Sequence, residues 1–258
     1  MQQNYILTSN FFSIFSRAGR SNEPIVLGSW FFSNDTLNLP IVHPFESFVL
    51  AAITHEKKPA TVLEYGTGTG HATYIFAANS PEYSRIHTLD LAVPTDYTRS
   101  ILKGDQVGSC FLGTPYEKKV QQFYRKGSMD IPDSVLASKG DYDLFFIDAD
   151  HSYDGVAADT RQAMEMAGPG AFFVWHDFYL IPRLIENDPA MGGVFYFLNE
   201  LALERKLVLR HISGTHIVVG CDQWKEDIPG QLLKPGDPFF PFNFSIVPLW
   251  MHSMSNPP

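Results

Sequence analysis

The chain has 258 residues, a formal charge of −9 and 45% apolar residues. That length suits one domain with extensions, or at most two small ones, with enough apolar content for a sizeable core. An acidic balance with no Lys/Arg-rich block argues against a nucleic-acid partner, whose backbone needs a basic track.

Only Cys110 and Cys221 are present. Two cysteines make neither a cysteine metal cluster nor a disulfide framework, so a reduced, cytoplasmic setting is expected. Met1 to Tyr5 lacks the basic-then-apolar pattern of a secretory signal. No apolar run reaches the roughly 18 to 20 residues of a membrane span, so no membrane partner is expected.

Residues 1–43 are aromatic (Phe11, Phe12, Phe15, Trp30, Phe31, Phe32) without a clear period. They read as a cap segment whose rings pack on the core or cover the site. Residues 44–55 predict a helix opened by Pro44, with Phe45, Phe48, Val49 and Ala52 as its apolar stripe. Thr61 to Glu64 predicts a strand. It runs into Gly66-Thr-Gly-Thr-Gly70 and a helix beginning near Ala72.

A second strand is expected at Arg85 to Asp90 and a third at Ser109 to Leu112. Lys118 to Lys126 reads as a polar helix, broken by Ile131-Pro132. Asp141 to Asp148 is a strand whose continuous apolar centre suits burial on both faces. A helix follows over 153–167, stopped by Gly168-Pro169-Gly170, then a strand over 171–175. Residues 193–204 predict a helix. Residues 207–210 and 216–220 predict a hairpin across Ser213-Gly214.

Alternating strands and helices imply a Rossmann-like, doubly wound α/β fold with a mostly parallel sheet and a terminal antiparallel hairpin strand. The domain spans 44–221. Residues 222–258 form a Pro/Phe-rich extension, too apolar for a typical disordered tail. The extension is expected to wrap the domain or reach a second subunit of a homodimer.

In such a sheet, ligands sit at the carboxyl ends of the strands. Glu64, Asp90, Asp148 with Asp150 and His151, and His176 with Asp177 all fall there. The glycine turn brings backbone N–H groups close to a ligand. A dinucleotide fingerprint needs a third glycine at position 71, which is His71. Asp90 is placed to accept hydrogen bonds from ribose hydroxyls, or to cap a helix.

The Glu64-x-Gly66-x-Gly68-x-Gly70 turn resembles motif I of the class I S-adenosylmethionine-dependent methyltransferases. Phe145-Phe-Ile-Asp-Ala-Asp-His-Ser-Tyr153 and Trp175-His-Asp-Phe178 narrow the resemblance. They look like the metal-dependent small-molecule O-methyltransferases of the catechol and caffeoyl-CoA type. They look more like the branch with macrolide sugar O-methyltransferases and cephalosporin-biosynthesis relatives.

The resemblance covers Pro44 to Gly220. It implies a methyltransferase domain acting on a small-molecule acceptor, with S-adenosyl-L-methionine at Glu64, Gly66, Gly68, Gly70, His71, Asp90 and Asp150. It also implies a divalent cation, Mg²⁺ in those families, at Asp148, His176 and Asp177. The pair at the last two positions is His-Asp here, where the catechol-type enzymes have Asp-Asn, and imidazole suits softer metals than Mg²⁺.

By position, His151 replaces the catechol-type lysine base. It is a candidate base at neutral pH, with helix capping or substrate binding as its other readings. Asp150 contacts the cofactor or orients His151. Glu64 faces the cofactor's methionine end or bonds the glycine loop. Metal-independent N- or C-methylation, another reaction in the same pocket, and a non-catalytic binding or assembly role remain the alternatives.

Overall fold

The computed structural model describes residues 3–15, 24–27, 44–102, 106–127, 130–180, 189–224 and 230–234. A nine-stranded sheet organises them. Its strands, in chain order, are β1 (Leu7–Ser9), β2 (Thr61–Tyr65), β3 (Arg85–Leu91), β4 (Val120–Arg125), β5 (Tyr142–Ile147), β6 (Ala167–Trp175), β7 (Val208–Ile212), β8 (Val218–Cys221) and β9 (Gln231–Leu232). The spatial order is β4-β3-β2-β5-β6-β8-β7-β1-β9. Pairs among β2 to β6 are parallel, whereas β8 runs antiparallel to both β6 and β7. This is the expected mixed α/β fold with an antiparallel hairpin strand.

The order reverses at β2, whose neighbours are β3 on one side and β5 on the other. That reversal opens a crevice at the carboxyl ends of the strands. Helices α1 (Phe11–Ile14), α2 (Pro44–Lys57), α3 (His71–Asn79), α4 (Asp96–Leu102), α5 (Asp133–Leu136), α6 (Tyr153–Met166) and α7 (Pro189–Glu204) follow in chain order.

Strand alternation divides the core in two. Phe145, Ile147, Phe173 and Trp175 pack with α6 and α7. Leu144, Phe146, Phe172 and Val174 pack with α2 and α3. The continuous apolar run of β5 is therefore buried on both faces, as period-two geometry requires. Each such fully buried side chain contributes about 1.5–3 kcal/mol. Trp175 also satisfies its indole, donating to Thr160 Oγ1 at 2.8 Å.

Several expectations need correction. The third parallel strand is Val120–Arg125, paired with β3 from Ile86↔Val120 to Leu91↔Arg125. Its polar sequence, which by itself suggests a polar helix, suits a sheet edge where one side meets water. Residues 109–112 instead form turns over the glycine loop, with the Cys110 amide donating to the Thr69 carbonyl at 2.9 Å. Helix α2 buries Glu46, Ser47, Val49 to Thr54 and not a narrow stripe; Phe45 and Phe48 are only half-buried. Gly168 to Gly170 lie inside β6, which starts at Ala167. The aperiodic N-terminal segment supplies β1, parallel to β7.

Among the described residues, no helix is long and apolar enough to cross a membrane. Trp30, Phe31, Phe32 and the extension beyond residue 234 lie outside the described residues.

Candidate active site

The glycine loop closes directly over β5. The Gly66 amide donates to the Leu89 carbonyl at 2.8 Å, and the Asp148 amide donates to the Tyr65 carbonyl at 2.9 Å. A Cβ on Gly66, where φ is +94°, would stand 2.2 Å from the Asp148 carbonyl oxygen. No side chain fits there. Over Gly68 there is open space, and its amide donates to Asp90 Oδ2 at 2.8 Å. Asp90 Oδ1 accepts from the Leu91 amide at 2.7 Å. Past the end of β3 an open cavity of about 420 Å³ is lined by Leu91, Ala92, Pro94, Leu102, Gln106, Val107 and Tyr124.

Glu64 and His71 sit deeper. Glu64 is fully buried and accepts from the Thr73 hydroxyl of α3. Burial pushes its carboxyl up to about 8; Thr73 and Thr88 oppose that shift, and nearby Asp148 and Asp90 add to it. His71 packs against α2, its Nε2 3.4 Å from Ser47 Oγ, and burial holds its imidazole down to about 4. Asp150 Oδ1 accepts from the Ser152 amide at 2.9 Å, and Ser152 Oγ caps α6 through the Gly155 amide at 3.1 Å. Helix capping thus falls to Ser152, leaving the His151 ring free to face the neighbouring carboxylates.

Beyond the ends of β5 and β6, titratable groups converge. His151 Nε2 lies 3.0 Å from Asp177 Oδ2 and 3.4 Å from Asp148 Oδ1. His176 Nδ1 lies 3.3 Å from Asp148 Oδ1 and 3.2 Å from Asp177 Oδ1. Ligand atoms of Asp148, His151 and Asp177 all lie within 4.8 Å of one another, close enough to share a cation. Asp177 adopts φ +58°, uncommon for a residue with a side chain, and its Oδ1 accepts from the Tyr179 hydroxyl at 2.8 Å.

Charge pairing in this cluster outweighs burial. Burial lowers the His176 pKa, but Asp148, Asp177 and Glu46 together raise it well above the usual range. Burial also disfavours a charged His151, yet a hydrogen bond to Asp148 and the Asp177 charge raise its pKa. Burial opposes ionisation of Asp177, but His176 and His151 hold its carboxyl well below the carboxylate range.

Two members carried no sequence signal. Glu46, in the first turn of α2, reaches His176 Nε2 at 3.2 Å and accepts from the His216 amide at 2.6 Å. His216 Nδ1 is 3.2 Å from the same carboxylate. His216 lacks any ligand-like spacing and joins the site only because the β7–β8 turn delivers it. The other histidines without such spacing include His87, bonded to Tyr142 at 2.7 Å, and His211, bonded to Thr8 and Thr215. His43 and His252 lie outside the described residues.

The described residues form a Rossmann-like α/β fold whose strand order reverses at β2. Residues 63–178 match the family model described as a methyltransferase domain. In fold along four-fifths of its length, and in sequence over those residues, the chain resembles the class I S-adenosylmethionine-dependent methyltransferases, O-methyltransferases among them.

Three solved structures illustrate the likeness. The O-methyltransferase TomG of Streptomyces achromogenes, solved with S-adenosylmethionine and involved in tomaymycin synthesis, is 16% identical with TM-score 0.54 over 82% of this chain and 96% of that one. The methyltransferase PaMTH1 of Podospora anserina, bound to S-adenosylhomocysteine, is 14% identical with TM-score 0.55 over 83% and 94%. An O-methyltransferase of Bacillus cereus, also with S-adenosylhomocysteine, is 18% identical with TM-score 0.50 over 81% and 97%. No curated protein matches.

Proposed function

We propose that this chain transfers the methyl group of S-adenosylmethionine to a hydroxyl of a small acceptor, with a divalent cation at the ends of β5 and β6. The observation that carries this reading is the placement of two groups at the carboxyl ends of neighbouring parallel strands. Gly68 and Asp90 meet beyond β2 and at the end of β3, and the Asp148–His151–Asp177 cluster lies beyond β5 and β6. The solved neighbours that hold the cofactor or its demethylated product support the cofactor assignment.

The residues fit a cation on two counts. Two carboxylates and at least one imidazole form a ligating donor set. His176 Nδ1 is buried and makes no hydrogen bond among the described residues. Asp148 and Asp177 hold the cation together with a histidine. When bound, the cofactor supplies the methyl group and the cation lowers the pKa of the acceptor hydroxyl.

Each remaining step belongs to the protein. Asp90 and the Gly68 loop orient the nucleoside, and Gly66 allows that loop to sit against Asp148. His151, at the mouth between Asp148 and Asp177, takes the acceptor proton.

One observation favours a metal-free variant of the same transfer. His176 and His151 both gain protons readily, so their positive charge can balance Asp148 and Asp177. Calorimetric titration of S-adenosylmethionine, followed by labelled methyl transfer to a panel of hydroxylated metabolites with and without EDTA, separates the two readings. Cofactor binding with EDTA-sensitive turnover supports the cation. EDTA-insensitive turnover selects the metal-free variant, and absence of cofactor binding sinks both.

A further inference from the structure

We propose that Glu46 sets the metal preference of this site. It fixes the His176 ring so that Nδ1 joins Asp148 and Asp177 in a nitrogen-and-oxygen site for a first-row transition ion such as Co²⁺, Ni²⁺ or Zn²⁺ in preference to Mg²⁺. This rests on the cation-assisted reading above.

Glu46 is buried, at 2% exposure, and comes from an element far from the cluster in sequence. Its Oε2 lies 3.2 Å from His176 Nε2. A carboxylate only accepts, so Nε2 carries the proton of that hydrogen bond. In the neutral ring the other nitrogen, Nδ1, then presents a lone pair. Nδ1 faces Asp148 Oδ1 at 3.3 Å and Asp177 Oδ1 at 3.2 Å. Both are ion-pair distances, and the buried Nδ1 meets strict hydrogen-bond geometry with neither carboxylate.

With Nδ1 deprotonated, three donor atoms converge from the ends of two adjacent strands, and a bound cation takes the place of the Nδ1 proton between the two carboxylates. A carboxylate behind a ligating imidazole fixes its tautomer and raises its basicity. Imidazole suits Zn²⁺, Ni²⁺ and their neighbours, whereas Mg²⁺ demands oxygen. Glu46 is itself held by a second bond, from the His216 amide at 2.6 Å, so it cannot swing away without breaking a contact to the β7–β8 turn.

The test titrates the metal-free full chain with Co²⁺, read by the visible absorption of the bound ion, and then competes with Mg²⁺. The expected result is Co²⁺ binding that only a large excess of Mg²⁺, about 100-fold or more, reverses. Glu46→Gln keeps the size and one acceptor oxygen, and is expected to weaken Co²⁺ binding about 10- to 100-fold. His176→Asn replaces nitrogen by an oxygen donor and is expected to erase most of the Co²⁺ preference.

Equal affinity of the native chain for the two ions overturns the proposal, as does a Glu46→Gln variant within about twofold of native. Should Glu46→Gln not fold, as judged by circular dichroism, the native preference and His176→Asn decide. Calorimetry with S-adenosylmethionine runs on the same sample. Cofactor binding without Co²⁺ binding removes this inference alone, whereas loss of both removes the transferase reading as well.

Discussion

The Asp148 carbonyl oxygen lies where a Cβ on Gly66 would have to be, 2.2 Å from that position. The glycine loop and the strand end that carries the candidate cation ligand therefore touch backbone to backbone. Gly66→Ala meets both this clash and a φ of +94°. It is expected to cost about 3 kcal/mol or more and to abolish cofactor binding. Urea denaturation and calorimetry check this; native values in both remove the structural argument for the loop.

His151→Asn is expected to lower turnover about 10²- to 10⁴-fold with cofactor affinity unchanged. Its pH profile carries a sign. The base acts unprotonated, and the Asp148 and Asp177 contacts raise its pKa against the effect of burial. In the metal-free variant the acid limb of kcat/KM is therefore expected to turn down above the ordinary histidine value near 6.5. A cation on the two carboxylates cancels their pull on the proton, so an acid limb below that value contradicts the metal-free variant.

A Cβ on Gly193, in α7, would stand 2.2 Å from the Tyr153 amide nitrogen and 2.4 Å from the His151 carbonyl oxygen. Gly193→Ala pushes α7 off the loop that aims His151. Turnover is expected to fall about 100-fold, since a displacement of about 1 Å is enough, with little change in cofactor affinity. Equal losses in both would mean general unfolding instead.

Arg125 of β4 clasps Asp159 of α6 through two bonds, 2.7 and 3.1 Å, with both side chains buried. Burial still raises the Asp159 pKa despite the guanidinium, so the pairing only partly offsets desolvation. Arg125→Ala leaves the carboxylate alone and is expected to cost about 3–5 kcal/mol. The double variant Arg125→Met, Asp159→Leu is expected to recover most of that. Guanidinium titrations of the three proteins give the comparison.

His211 joins β1 to β7. Its Nε2 donates to the Thr215 carbonyl at 2.7 Å, so its Nδ1 accepts from the Thr8 hydroxyl at 2.9 Å. Burial holds its pKa down to about 4, with Thr215 and Glu46 opposing and His216 adding to the effect. The folded value lies below the unfolded one, so its stabilisation is complete above pH 6.5. It fades as pH falls towards 4, by about 3 kcal/mol. Glu64, held up to about 8, works in the opposite direction between about pH 4.5 and 8. His211→Gln is expected to lessen the pH dependence of the denaturation midpoint between pH 4 and 6.5, with His71, also held down to about 4, supplying the remainder. An unchanged slope assigns that dependence elsewhere.

The sequence by itself determined what rests on local pattern. The doubly wound order follows from alternating strand and helix periods. The glycine turn follows from Glu64, Gly66, Gly68 and Gly70, and the titratable strand ends from Asp90, Asp148, His176 and Asp177 lying at or just past the ends of apolar runs. These signals are local because backbone dihedrals and strand pleat repeat over a few residues.

Tertiary structure alone decided the rest. Val120–Arg125 is a strand because β3 offers an open edge, not because its polar residues favour extension. Leu7–Ser9 is a strand because β7 leaves its outer edge unpaired until β1 arrives. Glu46 and His216 enter the site because α2 and the β7–β8 turn converge on His176, with 130 positions separating Glu46 from the histidine it holds. A hydrogen bond needs its partners within about 3 Å, and only the packed fold brings such distant residues that close.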